Sequence, residues 1–235
     1  MREPGLLRFI WINLKNFLPN YNFDVVKKLS SNSETACDVL EFGAGLGALA
    51  EIWHETTNTK PECLEIDASL RNCLADLGFT TYKDIDSIYK KFDIIYSSNV
   101  LEHIKDDVEA LEQLHTKIKI GGKIAIYVPA FPFLYSKLDA SLGHYRRYMK
   151  KELVDKLQSA GFQVEKIYYA DSIGFFAWLY TKAINSVSGS SNALSNGNSL
   201  YIYDTFIFPL SKFLDAIGLR YLFGKNLFVI AKKCK

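Results

Sequence analysis

The chain has 235 residues, 49% of them hydrophobic, which is enough to bury one sizeable core. Its 28 lysines and arginines nearly balance 26 aspartates and glutamates, and a net charge of +2 lacks the broad basic footprint of a nucleic-acid binder. Cys37, Cys63, Cys73 and Cys234 stand far apart, with no Cys-x-x-Cys pair and no histidine at zinc-ligand spacing. Free thiols in a reducing, cytoplasmic setting are the reading that fits.

At the N-terminus, Leu6 to Leu18 is partly apolar, but Arg8, Asn13, Lys15 and Asn16 interrupt it and no small-residue cleavage site follows. No uncharged run approaches the roughly 18 residues that a membrane span needs. The following elements alternate. The patterns predict a helix over 21–29, a strand over 37–42, a helix over 48–56, a strand over 63–66, a helix over 69–77 and a short strand over 80–82. A strand over 92–97, a helix over 106–118 and a strand over 123–128 follow, with Gly121-Gly122 as the turn between the last two. A helix over 151–160, ended by Gly161, leads to a strand over 163–170, and a final strand covers 226–232. Such alternation predicts an α/β fold, a Rossmann-like three-layer sandwich with helices on both faces of a mostly parallel sheet. The whole chain, 1–235, reads as one domain. Residues 172–223 break the rhythm and read as a helical insertion, aromatic at Phe175, Phe176, Trp178 and Tyr180, with a Ser/Asn/Gly-rich tip at 186–199.

Val39-Leu40-Glu41-Phe42 closes the first strand, and Gly43, Gly45 and Gly47 follow at alternate positions before a helix. Glycines permit left-handed backbone and let a ligand reach the main chain unobstructed. Three of them exceed what an ordinary strand-to-helix turn needs. Glu65 lies 20 residues beyond Gly45, where an acid can accept from both ribose hydroxyls. Loop and acid therefore indicate a nucleoside cofactor, and at this point NAD and S-adenosylmethionine fit equally. Asp67 reads as a second contact or as the cap of the next helix.

Further along stands Asn99-Val100-Leu101-Glu102-His103-Ile104, after the fourth strand and ahead of Gly121-Gly122-Lys123. Together with Val39–Gly47 this set closely resembles the class I S-adenosylmethionine-dependent methyltransferases over roughly residues 36 to 170, and dehydrogenases do not share the Asn-Val-Leu-Glu-His element. The resemblance implies a seven-stranded sheet with a reversed final strand and S-adenosylmethionine as cofactor. It implies that Glu41, Gly43, Ala44 and Gly45 meet the methionine part, and that Glu65 and Ile66 meet the ribose. Asp84 and Ile85 would flank the adenine, and Asn99 and Val100 would line the space beside the sulfonium. Gly143-His144-Tyr145-Arg146-Arg147-Tyr148 is similar to a loop in a subgroup of bacterial class I enzymes.

Substrates of open parallel sheets bind in loops beyond the strand ends. There Arg146 and Arg147 are expected to clamp a phosphate or carboxylate, with a solvated basic turn as the bland alternative. Methyl transfer from a sulfonium chiefly needs alignment and exclusion of water, and a base serves only an acceptor that must lose a proton. His144, Tyr145 and His103 are the catalytic candidates, although His103 reads equally well as a brace for its loop. Glu102 reads as a helix-start or surface carboxylate, His54 and His115 as structural or exposed, and no metal constellation is visible. The expected acceptor is a small molecule or a lipid-linked one, attacked through O, N or C. The insertion serves as a lid, a peripheral membrane contact or core packing. The alternative is a non-catalytic S-adenosylmethionine-binding regulatory protein. Oligomeric state is not legible.

Overall fold

The computed structural model describes residues 18–31, 38–188 and 197–235. The expected strand start at Cys37 and most of the Leu6–Leu18 segment lie outside them. Seven strands form one sheet in the order β3-β2-β1-β4-β5-β7-β6: β1 Val39–Phe42, β2 Glu62–Leu64, β3 Thr81–Tyr82, β4 Phe92–Ser98, β5 Ile118–Pro129, β6 Phe162–Ala170 and β7 Asn226–Lys233. The β1, β2, β3, β4 and β5 pairings are parallel, whereas β7 runs antiparallel to both its neighbours. The reversed final strand is thus present, inserted between β5 and β6.

Because successive strand residues face opposite sides, the sheet divides the core in two. Leu40, Ile95, Ile124, Ile126, Val128 and Val229 point to one side, where Leu111 and Leu114 of α4 (Asp107–Thr116) and Leu153 and Leu157 of α6 (Lys150–Ser159) cover them. Val39, Ile94, Tyr96, Tyr127 and Phe228 point to the other. There they meet Val25, Val26 and Leu29 of α1 (Pro19–Leu29) and Trp53 of α2 (Ala48–Thr57). The Trp53 ring stacks on Tyr96 at 4.4 Å. Burial on both faces explains the near-continuous apolar runs that made these strands readable.

Two details differ from the sequence expectation. Gly121-Gly122 does not separate helix from strand: β5 already starts at Ile118, paired with Phe92, and the pair shifts register at this point. Gly121 has φ +82°, and a side chain on Gly122 would meet the Asp93 carbonyl, so the two glycines form a bulge within the strand. A helix that the pattern did not show, α5 (Lys137–Leu142), precedes the Gly143 loop and starts in a Ser136/Asp139 capping box.

The insertion begins and ends at the C-terminal edge of the sheet's parallel strands. It consists of α7 (Ser172–Ser188), α8 (Gly197–Ile202), a π-turn over Tyr203–Ile207 and α9 (Phe208–Ala216). Three buried aspartates fasten it. Asp171 accepts from Gly174 N, Tyr203 Oη and Ser211 Oγ, and Asp215 accepts from the backbone N–H groups of Asp171 and Ser172. Asp204 accepts from Asn20 N and Tyr21 N and so joins the insertion to the start of α1.

Candidate active site

The glycine loop leaves β1 with φ of +79°, +55° and +81° at Gly43, Gly45 and Gly47. The three have different jobs. A Cβ on Gly43 would lie 2.4 Å from Val100 Cγ2, and one on Gly47 would lie 2.8 Å from Leu74 Cδ2 of α3 (Ala68–Asp76), but one on Gly45 would meet nothing. Gly43 therefore admits Val100, Gly47 admits α3, and Gly45 faces open space where a ligand can approach. Val100 and its neighbour Asn99, itself left-handed at φ +53°, follow β4, which is the sheet neighbour of β1. Adjacent strands thus bring the two motifs into contact.

Glu65 is nearly buried just beyond β2. Its Oε2 accepts from Gly45 N at 2.9 Å and its Oε1 from Asp67 N at 2.9 Å. Each oxygen keeps a further lone pair, so the carboxylate fits a ribose diol while it ties the loop to the second strand. Asp67 caps α3 through Ser69 N and Leu70 N, the bland one of its two readings. Ile66 is exposed at the rim, and Ile85 packs on the main core cluster. The Asp84 carboxylate accepts from Ser87 N. Glu41 is buried, and Tyr96 Oη donates to it at 2.9 Å. Burial raises its pKa to about 8, the Tyr96 hydrogen bond opposing and the charge of Glu65 adding to the shift.

The Gly143 loop is held from inside. Asp139, fully buried, accepts through Oδ2 from Ser136 N and Oγ and through Oδ1 from His144 Nδ1 (3.0 Å), Arg147 Nε (2.9 Å) and Arg147 Nη2 (2.8 Å). Burial works against its charge, yet the His144, Arg147 and Ser136 contacts outweigh it and keep the carboxyl below its usual range. An ionised Asp139 only accepts, so Nδ1 of His144 carries a proton, and in the neutral imidazole Nε2 is the bare nitrogen.

This geometry gives both arginines of the expected anion clamp, Arg146 and Arg147, partners within the protein. Arg147 is buried, paired with Asp139, donates to Ala130 O and lies 4.7 Å from the Trp178 ring of the insertion. Arg146 pairs with Asp107 at 2.9 Å and donates to Lys105 O. Both guanidinium groups are thus engaged, Arg147 through all three nitrogens and Arg146 through its two terminal ones. Tyr145 is half exposed at the loop surface.

Glu102 also departs from expectation. Rather than lying on the surface, it is completely buried in the 3₁₀ turn Leu101–His103, and among the described residues no other residue hydrogen-bonds either carboxylate oxygen. Burial raises its pKa to about 8; its own backbone N–H and Arg147 oppose the rise, and Asp139 adds to it. Tyr145 N donates to Glu102 O at 2.7 Å and joins the loop to this turn. The His103 and His144 rings meet edge to face at 4.6 Å, and His144 Nε2 lies 4.0 Å from Glu102 Oε1. One ligand atom from each of Glu102, His103 and His144 lies within 4.8 Å of the others. His54 is exposed, and His115 packs on Phe162.

Asp139 was missed by sequence reasoning, although Ser136-x-x-Asp139 is a legible capping box and Asp139 stands five residues before His144. Nothing local marks Glu102, because its burial comes from packing against the Gly143 loop some 40 residues later.

A model described as "Methyltransferase domain" matches residues 14–167. The malonyl-[acyl-carrier protein] O-methyltransferase 1 of Ilyobacter polytropus is 26% identical over 184 residues, 70% of this chain and 67% of that protein. The fold is similar to that of the Haemonchus contortus phosphoethanolamine N-methyltransferase 2, solved with S-adenosyl-L-methionine, at a TM-score of 0.59 and 16% identity. That alignment covers 92% of this chain but only 53% of the other, so the chain spans about half its length. A methyltransferase solved with the Haloferax volcanii Trm112 activator aligns at a TM-score of 0.64 and 13% identity over 94% and 92% of the two chains. With the glycine loop, the Glu65 carboxylate and the reversed strand all in place, the chain belongs to the class I S-adenosylmethionine-dependent methyltransferases.

Proposed function

We propose that this protein methylates a small-molecule or lipid-linked acceptor whose nucleophile must give up a proton, with oxygen favoured over nitrogen and carbon. S-adenosylmethionine, when bound, supplies an electrophilic methyl on a good neutral leaving group. Glu65 holds the ribose, Gly43 to Gly45 offer main chain to the methionine part, and Asn99 and Val100 border the reacting carbon. Asp84 and Ile85 lie toward the adenine, with Ile66 at the rim. One observation carries the reading. The turn bearing His103 follows directly on Val100, and the Tyr145-to-Glu102 hydrogen bond brings the Asp139-oriented imidazole of His144 against that turn. A neutral imidazole with its proton fixed on Nδ1 has a bare Nε2 to deal with the acceptor's proton. Tyr145 lies at the mouth and contacts the acceptor. The malonyl carrier-protein relative, an O-methyltransferase by name, supports oxygen.

The lipid-linked form draws support from the insertion. Its α8–α9 segment exposes Ile202, Phe206, Leu210, Phe213 and Ile217 as one stripe, opposite buried Asp204, Phe208, Ser211 and Asp215. Among the described residues no helix is long and apolar enough to cross a membrane.

The test is transfer of a labelled methyl group to fractionated cell extract, beside calorimetry with S-adenosylhomocysteine and NAD. His144→Ala should keep nucleoside binding and lose about 10²-fold or more of the transfer rate. Tight NAD binding without homocysteine-nucleoside binding, or transfer indifferent to His144, sinks the reading.

A further inference from the structure

Glu102 poses a physical problem that the proposed transfer does not resolve. Its carboxyl group is fully buried, and among the described residues no other residue gives either oxygen a hydrogen bond. Buried carboxylates are normally paired, hydrogen-bonded or bound to a cation. Arg147, whose charge acts on Glu102, already binds Asp139 through Nε and Nη2. What does face Glu102 is imidazole nitrogen, with His144 Nε2 at 4.0 Å and a ligand atom of His103 in the same cluster.

We infer that Glu102, His103 and His144 form a binding site for a first-row divalent transition ion, set at the acceptor side of the cofactor pocket. Two imidazoles and one carboxylate suit such an ion, whereas magnesium and calcium prefer all-oxygen sets. Ligands at about 2.0–2.2 Å from one ion stand at most about 4.4 Å apart. The trio lies within 4.8 Å, so modest side-chain rotation closes it. Asp139 accepts the Nδ1 proton of His144, as a carboxylate behind a metal-bound histidine does, and so presents the Nε2 lone pair to the ion. The ion neutralises Glu102 and gives its oxygens partners.

The site deepens the proposed function and rests on it only for its role. Three protein ligands leave open positions toward the pocket bordered by Val100. An acceptor hydroxyl on such a position has its pKa lowered, the O–H bond breaks and the proton leaves to water. The Nε2 lone pair of His144 then acts through the ion rather than as a base.

The experiment titrates the full chain, stripped with a chelator and desalted, with Zn²⁺, Mn²⁺ or Co²⁺ alone in a calorimeter. One ion per chain is expected, bound at least tenfold more weakly by Glu102→Gln and by His144→Ala and unchanged in His54→Ala. The cobalt spectrum should lack a thiolate band, which excludes Cys37, Cys63, Cys73 and Cys234 as the ligands. Glu102→Gln is near-isosteric, and its melting curve in chelator shows whether it folds. Absence of one-to-one binding, or affinity unchanged in a folded Glu102→Gln, overturns the site. Full methyl transfer in chelator overturns the ion's role and leaves His144 as the base. Specific ion binding without transfer to any fraction supports the site and counts against the transferase reading.

Discussion

Asp139, fully buried in the first turn of one short helix, gathers donors from Ser136, His144 and Arg147, so its loss leaves the Arg147 guanidinium charged and unpaired in the interior. Removing one partner of a buried pair typically costs about 3–5 kcal/mol. Asp139→Ala should therefore shift the urea midpoint strongly downward with little change in slope. Arg146→Ala should cost about 1 kcal/mol or less, because Asp107 keeps Lys156 and Tyr148 Oη and the Arg146 site is partly solvated. Equal losses would mean that the half-buried Arg146–Asp107 pair matters as much as the buried Arg147–Asp139 pair. Glu41 gives a prediction in pH. Burial raises its folded-state pKa to about 8, well above the 4.5 of a free carboxyl. Between those values the folded chain holds a proton that the unfolded chain has released. Its contribution to stability is complete below about 4.5 and is lost as pH rises toward 8. Glu41→Gln should flatten the stability profile over this window, read from denaturation midpoints at successive pH values. An unaltered slope would mean that other groups dominate.

At the scale of elements, the turn after β1 separates two uses of glycine that the G-x-G-x-G pattern does not. Gly43→Ala suffers left-handed strain of about 1–2 kcal/mol and must also displace Val100. Gly45→Ala bears only the strain, since its Cβ would meet open space. Thermal unfolding should rank Gly43→Ala below Gly45→Ala, while calorimetry with S-adenosylhomocysteine should show Gly45→Ala weakened despite its milder effect on the fold. The opposite ranking would mean that Val100 yields easily. The same distinction explains what was legible. Strands buried on both faces, such as β1, β4 and β7, announce themselves as apolar runs, and each of the seven expected strands overlaps an observed one. The Gly121-Gly122 bulge was taken for a connector because a doubled glycine looks alike in a turn and in a kinked strand. The residues proposed to hold the nucleoside can be named from sequence because each follows its own strand. The acceptor end was not legible: the partners of Arg147 and Glu102 depend on how α5 and the Gly143 loop fold back over the turn after β4.

Over the whole molecule, the insertion is anchored by burying all of its acids. Asp204 and Asp215, the only carboxylates between residues 172 and 223, cap backbone N–H groups of α1 and of the Asp171-Ser172 corner. The charged side chains left for its surface are Lys182, Lys212 and Arg220. Exposed apolar residues of α7 (Phe176, Leu179 and Tyr180) and the stripe from Ile202 to Ile217 are accompanied within the insertion by three half-buried positive side chains and no exposed acid. That combination suits an anionic bilayer surface, where buried apolar area and attraction to lipid headgroups add. An acceptor held in lipid would then meet the pocket without leaving the membrane, because both ends of the insertion join the sheet at the edge carrying Asn99 and the Gly143 loop. The expected result is co-sedimentation with phosphatidylserine-containing vesicles and far less with neutral phosphatidylcholine ones. Phe206→Ser with Phe213→Ser should abolish it, and salt should weaken it over the range where the Debye length falls from about 30 to 8 Å. Both phenylalanines are exposed and touch neither the Asp171 nor the Asp204 hydrogen bonds, so the double variant should melt with the parent and keep S-adenosylhomocysteine binding. Binding that ignores both lipid charge and these substitutions would leave the stripe without a membrane role and favour a water-soluble acceptor.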